Sequence, residues 1–227
     1  MMDKQALQAE IDKVEWFHQI DLGQGIITPG ADQSAIKMAF WDFPDSFAGK
    51  TVIDIGAWNG AFSFDAERRG ASDVLSTDHF CWSGPGPDGK PGFDPAKRVL
   101  NSKVREQDIA VEDLSPETVG TWDYVLFLGV FYHLPDPIAA LPRLYAITRQ
   151  TLIIETLLDC TFLNFPAMAY YGGIDGTHRA MKFVPNEAFL VAALCDLGFQ
   201  SVDAKPAYHH DTIDNRPVYR RAFNAHR

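Results

Sequence analysis

The first part of the chain has the apolar spacing of a helix. Four apolar residues near the start recur at steps of three or four positions: Leu7, Ile11, Val14 and Phe17. This stripe predicts a helix over 3–19. The glycine-rich segment 16–30 ends in Pro-Gly, which predicts a loop or a short ribbon, and a second short helix is predicted over Ser34–Trp41. We therefore expect an N-terminal helical arm or cap at 1–46.

From residue 51 onwards, β-prone runs alternate with stretches long enough for crossover helices. The runs are TVIDIG (51–56), DVLSTD (73–78), KVREQD (103–108), YVLFLG (124–129) and TLIIET (151–156). The fourth run has no polar alternation, which is typical of a strand covered on both faces in a parallel sheet. Strands that alternate with helices predict the α/β class, with a doubly wound sheet over 47–227.

The later segments have weaker patterns. Residues 157–183 are irregular and aromatic, and we interpret them as a substrate-side insertion of the α/β domain. A helix is predicted at Asn186–Leu197, followed by strands near 200–208 and 217–225. The run 82–95 contains four glycines and four prolines, so it predicts a long mobile loop.

The composition excludes several classes of protein. Of 227 residues, 46% are hydrophobic and 22% are charged, as in ordinary globular domains rather than disordered or collagen-like chains. No apolar run approaches the roughly 18 residues of a membrane helix, and the charged, periodic start is not a secretory signal. We therefore expect a cytoplasmic protein without a membrane partner. The net charge of −10 disfavours a main role in gripping phosphate backbones.

Cysteine and histidine usage predicts no metal site and no disulfide framework. The cysteines are odd in number and widely spread: Cys81, Cys160 and Cys195. This spacing fits a reduced chain. His209 and His210 have Asp211 and Asp214 nearby but lack a third ligand at a suitable spacing.

A glycine-rich turn, DIGAWNGA (54–61), follows the first predicted strand. The dinucleotide fingerprint G-x-G-x-x-G/A would use positions 56, 58 and 61, but position 58 is Trp58, whose bulk obstructs a diphosphate. Asp78 ends the second run 22 residues after Gly56, the spacing expected of an acceptor for ribose hydroxyls. The pattern describes a ribose-bearing ligand without a diphosphate, such as S-adenosylmethionine, and disfavours a nicotinamide dehydrogenase. Besides these residues, Ala57 and Gly60 belong to the candidate cofactor turn.

The ends of the second, third and fourth runs supply further ligand candidates. His79 follows Asp78, and Asp108 could accept from an adenine amino group while Ile109 packs on the ring. Equally, Asp108 could be a solvated carboxylate and Ile109 a core residue, with no ligand involved. Gly129, at the end of the fourth run, permits close approach of a ligand.

Tyr132 and His133 follow the fourth run, where reacting groups gather in such sheets. A neutral histidine can take a proton from a hydroxyl or an amine, so His133 is the first candidate base and His18 in the arm is the second. A structural histidine bonded to a loop carbonyl is the alternative. Other candidates for the same crevice are Tyr170, Tyr171, His178 and Arg179.

Four segments resemble the class I S-adenosylmethionine-dependent methyltransferases: VIDIGAWNG (52–60), STD (76–78), QDI (107–109) and LFLGVFYHLPDP (126–137). The resemblance covers about 47–227 and implies a Rossmann-like, seven-stranded sheet whose last strand is antiparallel. It also implies that Asp54, Gly56 and Gly60 bind the methionine end of the cofactor. The resemblance further implies that Asp78 binds the ribose, and that Asp108 and Ile109 bind the adenine. The usual middle glycine is Trp58, so we expect this turn to differ from the commonest form.

A narrower similarity links the chain to the tRNA wobble-uridine methyltransferase group. It is carried by the GVFYH segment, the arm WFH…IDLG, the stretch KFVPNEAFL and the terminal RRAF. That group includes a carboxymethyl-transferring branch acting on 5-hydroxyuridine, and the resemblance implies that Tyr132 and Arg221 contact the carboxylated cofactor or substrate. The arm lysine of that branch falls on His18, and the lost cation favours S-adenosyl-L-methionine over carboxy-S-adenosyl-L-methionine.

These observations leave three functions open. The first is methyl transfer to an oxygen or nitrogen of a small-molecule acceptor, with the arm and 157–183 as a lid that excludes water. The second is tRNA wobble-uridine methyl or carboxymethyl transfer, which the net charge disfavours. The third is a non-catalytic S-adenosylmethionine-binding protein. The acceptor and the oligomeric state are left open.

Overall fold

Three parallel strands form the sheet of the first unit of the chain, residues 1–111. They are β1 (Thr51–Ile55), β2 (Asp73–Asp78) and β3 (Arg105–Asp108). Central β2 pairs with β1 and β3, so the last residues of β2 and β3, Asp78 and Asp108, lie opposite each other. The helices of this unit are α1 (Lys4–Ile11), α2 (Ser34–Phe40), α3 (Ala61–Arg68) and α4 (Lys90–Val99). The computed structural model describes residues 4–87, 89–172, 181–213 and 216–227.

The second unit, residues 112–227, contains the other strands and helices. Its helices are α5 (Pro116–Val119), α6 (Pro137–Ile147) and α7 (Glu187–Asp196). Its strands are β4 (Trp122–Leu128), β5 (Thr148–Leu158), β6 (Met168–Tyr170), β7 (Phe183–Pro185), β8 (Ser201–Ala204), β9 (Tyr208–Ile213) and β10 (Arg216–His226). Short 3₁₀ turns span Val111–Asp113 and Phe131–His133.

The strand order confirms the predicted fold class. The main sheet runs β3-β2-β1-β4-β5-β10-β8, with β9 paired to β10 alone, and β6 pairs with β7 in a separate ribbon. Strands β4 and β5 are parallel, whereas β10 is antiparallel to both β5 and β8. This is the expected seven-stranded path with an antiparallel last strand, and the β9–β10 hairpin adds an eighth strand.

The predicted first helix is too long, because the chain leaves the helix after Ile11. The segment after it forms a ribbon, in which the Thr28 amide donates to the Ile20 carbonyl and the Ile20 amide donates to the Thr28 hydroxyl. The ribbon reading of 16–30 is therefore confirmed. Phe17 has helical spacing, but ribbon pairing decides its conformation.

The predicted loop 82–95 is also wrong in its second half. Helix α4 begins at Lys90, and Phe93 within it is fully buried. The Phe93 ring lies 5.3 Å from the Phe64 ring and 4.9 Å from the Trp82 ring. Burial of this aromatic side chain stabilises a helical turn that the glycine and proline content disfavours.

Two features are absent from the described residues. No helix there has the length and apolar character needed to cross a membrane. Within the same ranges, no three acidic, histidine or cysteine side chains are grouped as metal ligands.

Candidate functional site

The turn between β1 and α3 is wound in the left-handed region. Gly56, Trp58 and Gly60 have φ of 76°, 48° and 86°. A Cβ at Gly60 would lie 2.7 Å from ring atoms of Phe64 and Phe93, so only glycine fits there. Positive φ is costly for a bulky residue, and Trp58 is held by its amide, which donates to Asp78 Oδ2 at 2.9 Å.

Asp78 is buried at the carboxyl end of β2. Its second oxygen, Oδ1, accepts from the Cys81 amide at 2.9 Å. Burial raises the pKa of Asp78, although these backbone hydrogen bonds oppose the shift. The carboxylate is thus fixed by the turns that follow β1 and β2.

Asp54, near the end of β1, lies in a buried hydroxyl network. Its Oδ2 accepts from Ser63 Oγ at 2.6 Å, and Ser63 Oγ accepts from Ser76 Oγ at 2.6 Å. Burial raises the pKa of Asp54 to about 7. The side chain therefore exchanges a proton near neutral pH. The following amides of Gly56 and Ala57 both donate to the Thr77 carbonyl, at 2.8 and 3.0 Å.

Trp58 and Asn59 connect the turn to the arm and to the start of α4. The Trp58 indole stacks on Phe17 with ring centroids 4.3 Å apart and planes 3° apart. Fully buried Asn59 accepts from the Phe17 amide at 3.1 Å and donates to the Gly89 carbonyl at 3.2 Å. The Trp58 carbonyl accepts from Trp82 Nε1 at 2.8 Å. Asn59 is not among the site residues predicted from the sequence, although a buried side-chain amide inside a glycine turn needs partners.

His18 lies in the same aromatic group. Its ring contacts Trp58 and Phe62 edge-on, with centroids 6.0 and 5.6 Å away, and its Nδ1 is buried without a hydrogen-bond partner among the described residues. Burial lowers the pKa of His18 to about 4, against the opposing charge of Asp32. A base with so low a pKa takes up protons poorly at neutral pH. Burial disfavours the protonated form of His18, and its role as the second candidate base stays a prediction.

His79 and Asp108 form a pair at the ends of β2 and β3. His79 Nδ1 lies 2.9 Å from Asp108 Oδ1. Hydrogen bonds from Ser83 and His79 lower the pKa of the exposed Asp108 carboxyl. The half-buried Ile109 donates its amide to the Asp78 carbonyl at 3.3 Å. The first unit therefore gathers Asp78, His79, Asp108 and Ile109 at one edge of its sheet.

A second cluster lies in the second unit. Arg220 Nη2 donates to the Tyr132 hydroxyl at 2.7 Å, and Arg220 Nη1 donates to both Glu155 oxygens, at 2.8 and 3.0 Å. Burial disfavours the Arg220 charge, but Glu155 and neighbouring tyrosines outweigh it, so the pKa of Arg220 is raised. Gly129, with φ of 74°, lies beside this group. Neither Glu155 nor Arg220 is among the site residues predicted from the sequence. A glutamate inside the apolar run TLIIET was an available signal, because a charge in a buried strand needs a partner.

Arg221 follows Arg220 in β10 and has different partners. Successive side chains of a strand point to opposite faces, so Arg220 contacts Tyr132 while Arg221 donates to Glu187 at 2.5 Å and to the Lys205 carbonyl. Arg221 lines a cavity of about 540 Å³ in the second unit, whose wall includes Leu158 and Tyr219. The resemblance implied that Tyr132 and Arg221 each contact the carboxylated cofactor; in the structure the arginine that contacts Tyr132 is Arg220. Whether Arg221 binds a substrate stays a prediction.

The remaining candidates of the second unit are spread between surface and core. His133 is exposed, with its ring 4.1 Å from the Tyr132 ring. Tyr171 is buried and donates to Asp159 Oδ2 at 2.5 Å, whereas Tyr170 is 65% exposed. His178 and Arg179 lie outside the described residues, as do the side chains of His209, His210, Asp211 and Asp214.

Comparison with known proteins gave relatives in sequence and in structure. No protein-family model matches the chain. A tRNA U34 carboxymethyltransferase of Helicobacter pylori (strain G27) is 30% identical over 168 residues, which is 68% of this chain and 58% of the relative. One from Haemophilus influenzae (strain PittEE) is 26% identical over 165 residues, 68% of this chain and 46% of the relative. The chain thus spans about half the length of the curated relatives it matches.

Solved structures match more of the chain. The N-terminal domain of EvdMO1, solved in the presence of SAH (S-adenosylhomocysteine) and D-fucose, has a TM-score of 0.72 at 19% identity and covers 100% of this chain and 97% of that one. Magnesium protoporphyrin IX methyltransferase (ChlM) from Synechocystis PCC 6803, with bound SAH, has a TM-score of 0.57 at 18% identity. The match covers 85% of this chain and 81% of that one.

Proposed function

Because the chain has the Rossmann-like fold of the class I S-adenosylmethionine-dependent methyltransferases, we propose that it is a methyltransferase that uses S-adenosyl-L-methionine. We propose further that the methyl group goes to an oxygen or nitrogen of a small molecule. The observation that carries this proposal is the left-handed turn from Gly56 to Gly60, held against Asp78 at the end of β2.

The residues of the first unit fit this cofactor. The turn has no room for a Cβ at Gly60, and the Trp58 indole is stacked on Phe17 of the arm. In the proposal, Asp54, Ala57 and the turn hold the methionine end, Asp78 holds the ribose, and the His79–Asp108 pair holds the adenine with Ile109. Asp78 keeps its place because two backbone amides fix its oxygens.

His18 supports S-adenosylmethionine over its carboxylated form. The ring is neutral at pH 7 because burial lowers its pKa to about 4. A neutral imidazole attracts an added carboxylate less than a lysine would.

In the proposed mechanism, the cofactor supplies a methyl group already activated on a sulfonium. The protein then mainly orients the reactants and excludes water. A hydroxyl or amine acceptor loses a proton, and the exposed His133 imidazole is the proposed base. Gly129 is proposed to let a ligand approach the backbone, and the hydroxyl of Tyr132 to bind the acceptor. Tyr170, Tyr171, His178 and Arg221 stay predicted acceptor contacts.

Isothermal titration with SAH tests the cofactor site. The wild-type chain should bind it, and Asp78→Ala should weaken binding at least about tenfold, the size of one lost hydrogen bond to a charged group. Asp73→Ala, at the start of the same strand, is the matched control and should bind normally, because Asp73 pairs with Arg105 at the surface. A wild-type protein that binds neither S-adenosylmethionine nor SAH would contradict the proposal.

The sequence relatives favour a second candidate function, in which the acceptor is a tRNA wobble uridine. The net charge of −10 argues against it, since affinity for a nucleic acid depends on basic contacts to phosphates. Incubation with methyl-labelled S-adenosylmethionine and either bulk tRNA or a tRNA-free metabolite extract separates the two. Label in the extract alone supports a small acceptor. Label in tRNA, with binding that weakens steeply in salt, supports the second candidate.

A further inference from the structure

Two neighbouring residues of the β1–α3 turn, Trp58 and Asn59, hold the arm at Phe17. The Phe17 amide donates to Asn59 Oδ1 at 3.1 Å, and the Phe17 ring stacks on the Trp58 indole with centroids 4.3 Å apart. One arm residue is thus held through both its backbone and its side chain. We call Phe17, Trp58 and Asn59 the arm–turn junction.

The junction adjoins the carboxylate proposed to hold the ribose. The Trp58 amide donates to Asp78 Oδ2 at 2.9 Å, so the residue that carries the arm on its indole is also bonded to Asp78. The segment before α4 reaches the same turn. The Trp58 carbonyl accepts from Trp82 Nε1 at 2.8 Å, and Asn59 Nδ2 donates to the Gly89 carbonyl at 3.2 Å. The arm and this segment therefore both contact the turn proposed to bind the cofactor.

Glycines on the α4 side pack directly against the two turn residues. A Cβ at Gly89 would overlap Trp58 Cδ1, and a Cβ at Gly92 would overlap Asn59 Nδ2, so a larger residue at either position would displace these side chains. Asn59 is fully buried. Trp58 and Asn59 are therefore fixed from the α4 side.

Phe17 is held more weakly than the residues on either side of it. Its exposed fraction is 37%, against 7% for Trp16 and 6% for His18. One hydrogen bond between neutral groups and one ring stack contribute less free energy than burial of a whole aromatic side chain. Phe17 can therefore separate from the turn while Trp16 and His18 keep the arm in place.

We propose that the arm–turn junction is a gate: Phe17 leaves Trp58 before the cofactor enters or leaves, and Asn59 is the positioning residue that returns Phe17 to its place. The inference rests on the proposed function in taking the β1–α3 turn to bind the cofactor. It adds that the arm controls the rate of cofactor exchange.

The gate has a kinetic signature of its own. The contacts that close it join residues of this chain, so closing gains the same free energy with and without the cofactor. A ligand that does not distinguish the two states shifts no equilibrium between them. The junction therefore slows entry and release alike and leaves the dissociation constant unchanged.

Rate constants for SAH test the proposal. Surface plasmon resonance of the immobilised full chain gives the association and dissociation rate constants, and titration calorimetry gives the dissociation constant. In Asn59→Ala both rate constants should rise at least about fivefold, the effect of one lost hydrogen bond. The dissociation constant should change less than about twofold. Ile27→Ala is the control, because Ile27 is a 61% exposed residue of the same ribbon, and it should leave all three constants unchanged.

Three outcomes would overturn the gate. They are wild-type rate constants in Asn59→Ala, an equal rise of both rate constants in Ile27→Ala, and faster release with unchanged entry in Asn59→Ala. The last would show that Asn59 only supports the binding turn, because affinity would then fall.

A second variant decides if circular dichroism shows that Asn59→Ala does not fold. Phe17→Ala removes the ring stack and keeps the backbone amide, and both rate constants should again rise together, at least about threefold. Unchanged rate constants in Phe17→Ala refute the gate. A wild-type chain that binds no SAH overturns the proposed function and the gate with it, whereas normal binding with unchanged rates in the variants overturns the gate alone.

Discussion

Two buried titratable side chains of the first unit have pKa values shifted in ways that oppose each other. Burial raises the pKa of Asp54 to about 7 and lowers that of His18 to about 4. In both cases the folded state favours the neutral form, because a buried charge is poorly solvated. A pH titration of stability can separate the two contributions.

We predict that Asp54→Asn changes the pH dependence of the free energy of unfolding. The pKa of Asp54 is about 7 in the folded chain, against an ordinary value of 3.8. Its contribution to the free energy of unfolding is therefore full below pH 3.8 and is lost as the pH rises towards 7. Relative to Asp54→Asn, the wild-type chain should lose roughly 4 kcal/mol over this range. Urea unfolding at several pH values measures it, with exposed Asp45→Asn as the control. A constant difference across the range would show that Asp54 does not titrate there.

His18 should act in the opposite direction. The contribution of His18 to the free energy of unfolding is full above pH 6.5, its ordinary pKa, and is lost as the pH falls towards 4. The reason is that the imidazole binds a proton more readily in the unfolded chain than in the folded one. Between pH 4 and 6.5 the two effects partly cancel in the wild-type chain. In Asp54→Asn only the His18 effect remains of the two, so the free energy of unfolding of this variant should rise with pH over this range.

At the scale of elements, single buried side chains connect irregular segments to the sheet. Asn59 joins the arm ribbon to the first turn of α4. Tyr171 and Asp159 join the ribbon of β6 and β7 to the end of β5. These contacts stabilise segments whose own sequence has little preference for regular structure.

Asn59→Ala should lower the free energy of unfolding by about 2–4 kcal/mol, because it leaves the Phe17 amide and the Gly89 carbonyl without their side-chain partner. Amide hydrogen exchange at Phe17 should become faster at the same time. The exposed Asn164 provides a control, and its replacement by alanine should change neither quantity. Normal protection of the Phe17 amide in Asn59→Ala would contradict the role of this side chain.

Tyr171→Phe should cost about 1–3 kcal/mol, because the buried Asp159 carboxylate loses a 2.5 Å hydrogen bond. Tyr170→Phe is the matched control one position earlier, where the side chain is exposed. Chemical unfolding of both variants gives the comparison. Equal stability of the two would show that the hydroxyl of Tyr171 contributes nothing.

At the scale of the whole molecule, ligand binding should raise stability in proportion to occupancy. At a hundred times its dissociation constant, SAH should add about 2.7 kcal/mol to the free energy of unfolding. NAD should add nothing, since Trp58 replaces the glycine that a diphosphate needs in this turn. Thermal unfolding with each ligand measures both effects, and stabilisation by NAD alone would favour the dehydrogenase alternative.

The sequence by itself determined the features that depend on neighbouring residues. The β-prone runs identified β1 to β5, and the glycines after β1 predicted a tight turn, because strand pleat and backbone freedom are set within a few residues. The pattern over Asn186–Leu197 likewise identified α7. The role of Asp78 at the end of β2 was predicted from its spacing of 22 residues from Gly56.

Only the tertiary structure decided which side chains meet. It ended the first helix at Ile11, began α4 at Lys90 inside the predicted loop, and paired Tyr132 with Arg220. Each outcome depends on partners distant along the chain, such as Glu155 for Arg220 and Phe64 for Phe93. Burial and pairing of such groups contribute more free energy than local propensity does, and a pattern of neighbouring residues contains no record of them.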